Sequence, residues 1–269
     1  MTEPLERPVR TIFLGSGRFG DPTLGALARH PSVRLVAVVT APPRPVGRRQ
    51  LVTPTPIPAA ILARDTETGV TLFRMDPGID TGPIVASERS TLGPEDTAPA
   101  VEARLAIISA GLLVRALDPW LDGQTPPVPQ SEEGATITRP LHRSDGLLDP
   151  ATPAVVLARQ IRAYQPWPGS FLNLESERVV VLAGRPTPSA RDDEPGRLVA
   201  DGAGLALTTV DGRLVLGEVQ PAGGRPMSGD AFLRGRPSIV GSAVVALPGG
   251  DDRPQGQADG VGDRPNDPA

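Results

Sequence analysis

The sequence predicts an α/β unit followed by an all-β unit, and three observations carry that prediction. The chain opens strand, helix, strand over residues 11–39. A long helical apolar stripe follows in its middle, and from Ser170 onward short strands alternate with turn signals at close intervals. Thr11–Leu14 is a short apolar run, followed by the turn GSGRFG. Asp21 then supplies a candidate N-cap and Pro22 a first-turn proline for a helix with Leu24, Leu27 and Ala28 on its buried stripe. Val33–Val39 is nearly continuously apolar, as a strand covered on both faces by helices is.

Residues 41–58 then carry six prolines, at 42, 43, 45, 54, 56 and 58, so neither a helix nor a central strand is expected to run through them. Ala59–Ala63 has room for little more than one helical turn. Gly69–Phe73 reads as a strand, MDPGIDTG as a loop dense in Asp and Gly, and Ile84–Ser87 as a short strand. Val101, Leu105, Ile108 and Leu112 share one face of the long helix. Two loops follow, Pro126–Gly134 and PLHRSDGLLDP, and then a helix over Val155–Tyr164. The segments FLNLE, RVVVLA, GRLVAD, LALTTV and RLVLGEV predict a small OB-like antiparallel barrel, with a short helix in MSGDAFLRG and a closing strand at Ala243–Leu247. The expected division is an α/β domain over 9–148, a barrel domain over 149–248, and a disordered tail over 249–269.

Composition restricts the chemistry. The chain has 269 residues, and all 27 basic residues are Arg, which excludes lysine Schiff bases and a P-loop lysine. Zero Cys excludes thiolate nucleophiles and thiolate metal sites, and with only His30 and His142 no metal centre is expected. The formal charge is −4, but residues 22–64 hold Arg29, Arg34, Arg44, Arg48, Arg49 and Arg64 with no acidic residue, a patch suited to polyphosphate. The opening MTEPLERPVR has no apolar core and no stretch is long enough to span a bilayer, so a cytoplasmic protein with no membrane or DNA partner is expected.

Several segments together resemble one family, the methionyl-tRNA formyltransferases. These are TIFLGSGRFG, VVTAPPRPVGRR, ETGVTLFRMDPGIDTGPI, IRAYQPWPG and LGEVQPAGGRPMSGDAFLRG, which run in the family's order. The resemblance implies a Rossmann-like formyltransferase domain followed by the barrel. It also implies transfer of a formyl group from 10-formyltetrahydrofolate to the amino group of methionyl initiator tRNA; a monomer without a metal is expected. It places Asp80 of MDPGIDTG at the catalytic aspartate. Arg44, Arg48 and Arg49 fall in the basic loop that enters the tRNA acceptor stem, with Arg48 reading its end. Asp76 reads as a structural loop residue, GSGRFG as a tight turn, and Arg225, Arg234 and Arg236 either as tRNA-backbone contacts or as loop charges.

The match then departs from the family pattern. LVTPTP and IPAAILARDTETGV resemble segments that lie several dozen residues apart in the family, yet here they join near Ile57, so the α/β domain is expected to lack an internal segment near 53–58. The family's Asn-x-His pair and its SLLP-type folate loop would lie in that segment. No Asn-x-His occurs, the only asparagines being Asn173 and Asn266, and the folate-binding residues are therefore unknown. A non-catalytic tRNA-binding remnant and a non-functional deletion product remain open as alternatives.

Overall fold

The computed structural model describes residues 7–40, except position 16, and residues 56–245, except positions 79, 132, 134, 136, 137, 176 and 203. The α/β part contains β1 (Val9–Leu14), α1 (Asp21–Arg29), β2 (Val33–Val39), α2 (Pro56–Ala63), β3 (Glu67–Phe73), β4 (Ile84–Thr91) and α3 (Ala98–Leu121). Its strands form two separate pairs. β1 and β2 run parallel, with Val9 facing Val33 and Leu14 facing Val39, whereas β3 and β4 form an antiparallel hairpin. No ladder joins the pairs among the described residues.

That division explains an unusual surface. Ile12 and Leu14 of β1 are 55% and 72% exposed, and Val36, Val38 and Val39 of β2 are also exposed. A doubly wound sheet covers such strands on both faces, so these side chains lack the neighbours their composition calls for. α1 and the β3–β4 hairpin both pack against α3, which thereby holds the two pairs in one unit. Thr97 caps α3 by accepting the Ala100 amide, and Val101, Leu105 and Leu112 form its buried stripe as expected from their spacing.

The second part begins with α4 (Ala154–Ala163) and continues with β5 (Ser170–Asn173), β6 (Arg178–Thr187), β7 (Leu198–Asp201), β8 (Gly204–Thr208), β9 (Arg213–Pro221), β10 (Met227–Ser228) and α5 (Gly229–Gly235). The strands form a six-stranded antiparallel sheet in the order β5-β6-β9-β8-β7, with β10 on β9. Leu157 and Ile161 of α4 lie in one core with Leu172, Val179, Leu205, Leu214, Val219 and Phe232. A smaller cluster joins the two parts, bringing Ile61 of α2 and Val101 and Leu105 of α3 against Ala163 and Tyr164 at the end of α4.

Three expectations are corrected. The barrel is not closed among the described residues. Segment 241–245 bonds along β7, where the Leu198 amide donates to the Ser242 carbonyl at 3.0 Å, but it reaches β5 only through the Val245 amide on the Asn173 carbonyl at 2.8 Å. One bond does not make a ladder among the described residues, and positions 246 and 247 of the expected closing strand lie outside them. The helix after the proline-rich stretch spans eight residues rather than one turn, because prolines in a first turn remove only amides that have no intrahelical acceptor. At α1, Gly20 rather than Asp21 is the N-cap, and Asp21 begins the helix ahead of Pro22. The expected tail over 249–269 lies outside the described residues.

Candidate active-site loop

Residues 74–83 connect β3 to β4, and the hairpin itself positions them. The Arg74 amide donates to the Pro83 carbonyl at 2.9 Å and closes the base of the loop. Gly82 is needed at that base, since a Cβ there would stand 2.0 Å from the Arg74 carbonyl oxygen, too close for any side chain. Asp76 organises the interior. Its Oδ1 accepts the Gly78 amide at 3.0 Å and the Thr81 hydroxyl at 2.8 Å, an Asx-type turn that occupies this carboxylate structurally.

Asp80 follows in the second half of the loop. Its backbone is left-handed, φ 56°, a region that Asp tolerates at a cost of about 1–3 kcal/mol. Gln130 offsets that cost: its Nε2 donates to the Asp80 carbonyl at 2.9 Å and to the Gly82 carbonyl at 2.6 Å. Gln130 is held in turn because Val128 pairs with Ile84, exchanging amide–carbonyl bonds of 2.7 and 2.8 Å at the start of β4. The Asp80 carboxylate is exposed and makes no hydrogen bond or ion pair among the described residues. The strap over 128–130 thus fixes the backbone of Asp80 and leaves its side chain available.

Neither histidine belongs to this loop. His30 closes α1, is 9% exposed, and accepts the Ser32 amide on Nδ1 at 3.3 Å. His142 caps a short 3-10 turn at Arg143–Gly146, its backbone amide donating to Asp145 at 2.7 Å. Asp145 is largely buried, which raises its pKa, but the paired Arg139 guanidinium and the His142 amide outweigh burial and hold the carboxyl below its usual range. The His30 imidazole is held by its bond to the Ser32 amide and His142 takes part in the turn through its backbone, and no cluster of acids and imidazoles able to hold a metal occurs among the described residues.

Arg44, Arg48 and Arg49 lie outside the described residues. Of the sheet-domain arginines, Arg234 pairs with Asp230, and Arg236 pairs with Glu177 and covers the Phe232 ring at 5.1 Å. Gln130 is the loop residue that sequence reasoning missed. Its acceptors are main-chain carbonyls nearly fifty positions upstream, a relation that leaves no local pattern.

A split α/β part presenting a braced acidic loop is followed by an antiparallel sheet, and both parts match formyl transferase domains, which makes this a two-part formyltransferase. Residues 54–117 match the formyl transferase domain and residues 140–237 the formyl transferase C-terminal domain. In overall shape the chain is similar to HypX from Aquifex aeolicus, with a TM-score of 0.59, 15% identity, and coverage of 83% of this chain and 48% of that one.

The sequence comparisons are more specific. The chain is 41% identical over 189 residues to methionyl-tRNA formyltransferase of Acidiphilium cryptum, covering 70% of this chain and 60% of the relative. It is 36% identical over 227 residues to that of Chloroflexus aurantiacus, covering 80% of this chain and 72% of the relative. The chain belongs to the methionyl-tRNA formyltransferase family. It spans about 60% of the length of several of the curated relatives it matches.

Proposed function

We propose that the reaction of this chain is formyl transfer from 10-formyltetrahydrofolate to the amino group of methionyl initiator tRNA, at a rate far below that of its longer relatives. The observation that carries the reading is the Asp80 loop, braced by Gln130, in a chain that belongs to this family. In the reaction the amine nitrogen bonds to the formyl carbon, the bond from that carbon to the folate nitrogen breaks, and a proton passes from the amine to the departing nitrogen. The exposed Asp80 carboxylate is suited to accept the amine's proton, directly or through one water.

The low rate follows from what Asp80 lacks. An aspartate that orients an imidazole loses that use without one; the His30 imidazole accepts the Ser32 amide, and His142 belongs to the Arg143–Gly146 turn rather than to the Asp80 loop. Loss of a single oxyanion donor costs on the order of 10²–10³ in rate. The separation of β1–β2 from β3–β4 supports the reading that a stretch is missing near Ile57, where the family's Asn-x-His strand would lie. For the partner, Arg44, Arg48 and Arg49 are proposed to grip the acceptor stem. The open sheet, an incompletely closed OB-like surface, is proposed to lie along the tRNA body. A monomer working in the cytoplasm agrees with this reading.

A formylation assay with charged initiator tRNA and 10-formyltetrahydrofolate tests it. Slow turnover, at least a hundredfold below a full-length relative and abolished by Asp80→Asn, is the expected result. Turnover equal to the relative's, or residual turnover indifferent to Asp80→Asn, overturns the reading. Salt-dependent tRNA binding with no turnover at all would instead establish the non-catalytic alternative.

A further inference from the structure

The junction between the two parts holds a second group of charges that the formyl-transfer reading does not use. Along α4, Val155, Ala158, Arg159 and Arg162 share one face and look across at the end of α2, where Arg64 follows the helix. With Ile61, Leu92, Pro94 and Pro186 they line a cavity of about 380 Å³. The cavity lies beside Thr66 and Leu92, at the far end of the β3–β4 hairpin from Asp80. The ladder between those ends runs from Glu67–Thr91 to Phe73–Ile84, about 20 Å at the usual rise per residue. It is therefore separate from the candidate active-site loop.

The three guanidinium groups are poorly matched by what surrounds them. Arg159 donates only to main-chain carbonyls, that of Leu62 at 3.1 Å and that of Val155 at 3.4 Å. Neither Arg159 nor Arg64 forms an ion pair among the described residues. The Arg162 side chain is 16% exposed, and the carboxylate nearest it, that of Glu95, is 88% exposed and stands 4.0 Å away. Arg162 Nε is buried with no hydrogen-bond partner. Burial, followed by the fields of Arg64 and Arg162, lowers the Arg159 pKa, so the three cations repel one another across the cavity. Asp65 and Glu95 also line it, leaving a net charge of one positive unit. Arginine cannot relieve such crowding by releasing a proton at ordinary pH. An orphaned buried donor and unpaired cations above an apolar floor are the features of a site whose acceptor comes from outside.

We propose that this cavity binds a phosphate group, with Arg64, Arg159 and Arg162 as its donors. Phosphate matches planar guanidinium forks in pairs, and its negative charge suits a cavity with a net positive unit whose cations repel one another. Because both parts of the chain supply donors, occupancy ties α2 to α4. The phosphate has two conceivable sources, a free phosphate or monoester and an RNA backbone, and the probes distinguish them.

The test is calorimetric titration of the full chain with inorganic phosphate, with 5′-AMP and with a short RNA duplex, at matched ionic strength in chloride. Saturable one-site binding of phosphate or 5′-AMP, weakened at least tenfold by Arg159→Gln and by the exposed Arg64→Gln and tightened by Glu95→Gln, is the expected result. Binding of the duplex alone, with the same three responses, assigns the phosphate to RNA. Absence of binding by all three probes, or affinities that the Arg64→Gln and Glu95→Gln variants leave unchanged, overturns the proposal. Loss of stability in Arg159→Gln, which also removes the cap on Leu62, does not obscure the result, because Arg64 and Glu95 are exposed and test the same cavity. The outcome is independent of turnover, so it separates from the formylation assay.

Discussion

Replacing Gln130 by Ala removes the brace on Asp80 while leaving Asp80 itself in place, and the size of the effect can be worked from two contacts. A net hydrogen bond contributes about 0.5–1.5 kcal/mol. The bond to the Asp80 carbonyl, 2.9 Å and exposed, belongs at the low end because water replaces the lost donor. The bond to the Gly82 carbonyl, 2.6 Å and partly buried, belongs higher. Their sum is about 1.5 kcal/mol, and since about 1.4 kcal/mol is a factor of ten, the open population of the loop rises roughly tenfold. That loss falls on the loop rather than on the core, because Gln130 lies outside both hydrophobic clusters. Amide hydrogen exchange reads it: the Gly78 amide, protected by Asp76, should exchange about tenfold faster in Gln130→Ala, while amides in β6 and β9 keep their rates. Unchanged exchange at Gly78, or a uniform increase across the chain, would refute the reasoning that Gln130 acts on this loop.

Other perturbations test the scaffold. Gly229→Ala should be strongly destabilising, by about 1–3 kcal/mol or more, because its Cβ would lie 1.8 Å from the Leu216 carbonyl oxygen, and thermal unfolding will show it. Leu157→Ala, at a position with no exposure in the core beneath α4, should lose about 2–5 kcal/mol in a denaturant titration. Arg213 holds the Asp193 carboxyl below its usual range through bonds of 2.6 Å from Nε and Nη2. A carboxyl with a lowered folded pKa contributes stability above its unfolded value and loses it as pH falls through the folded one, so wild type should weaken from about pH 4 downward. Asp193→Asn should be less stable at neutral pH and have a flatter profile in that window.

The sequence made most elements legible because their signals are local. The period of Val101, Leu105 and Leu112 is read within one helix, and the β-rich second part declares itself by turns and β-branched runs. What escaped depends on partners distant in the chain. The pairing of Val128 with Ile84, and hence the place of Gln130, follows from a strap lying on a hairpin edge. The carbonyl of Asp80, whose backbone is left-handed, is bonded by that strap from fifty positions downstream. Barrel closure is not met among the described residues, and apolar alternation shows that a segment can be a strand but not whether it reaches a second partner. Residues 241–245 satisfy β7 and touch β5 once.

The exposed valines of β2 fit the proposal that the α/β part lacks an internal segment near Ile57. On the proposal that a central strand is missing between the pairs, α1, which packs on β2, and the β3–β4 hairpin both still lie against α3, while Ile12 and Leu14 of β1 and Val36, Val38 and Val39 of β2 keep an apolar face that lacks a neighbour. Such open edges invite intermolecular pairing, which charged side chains suppress. Val38→Lys, at a site 46% exposed, should therefore change unfolding stability by no more than about 0.5 kcal/mol while lowering the rate of light scattering on storage. If Val38→Lys instead unfolds the chain, β2 is covered in solution, and the separation of the strand pairs that accounts both for its exposure and for the isolation of Asp80 is lost as an explanation.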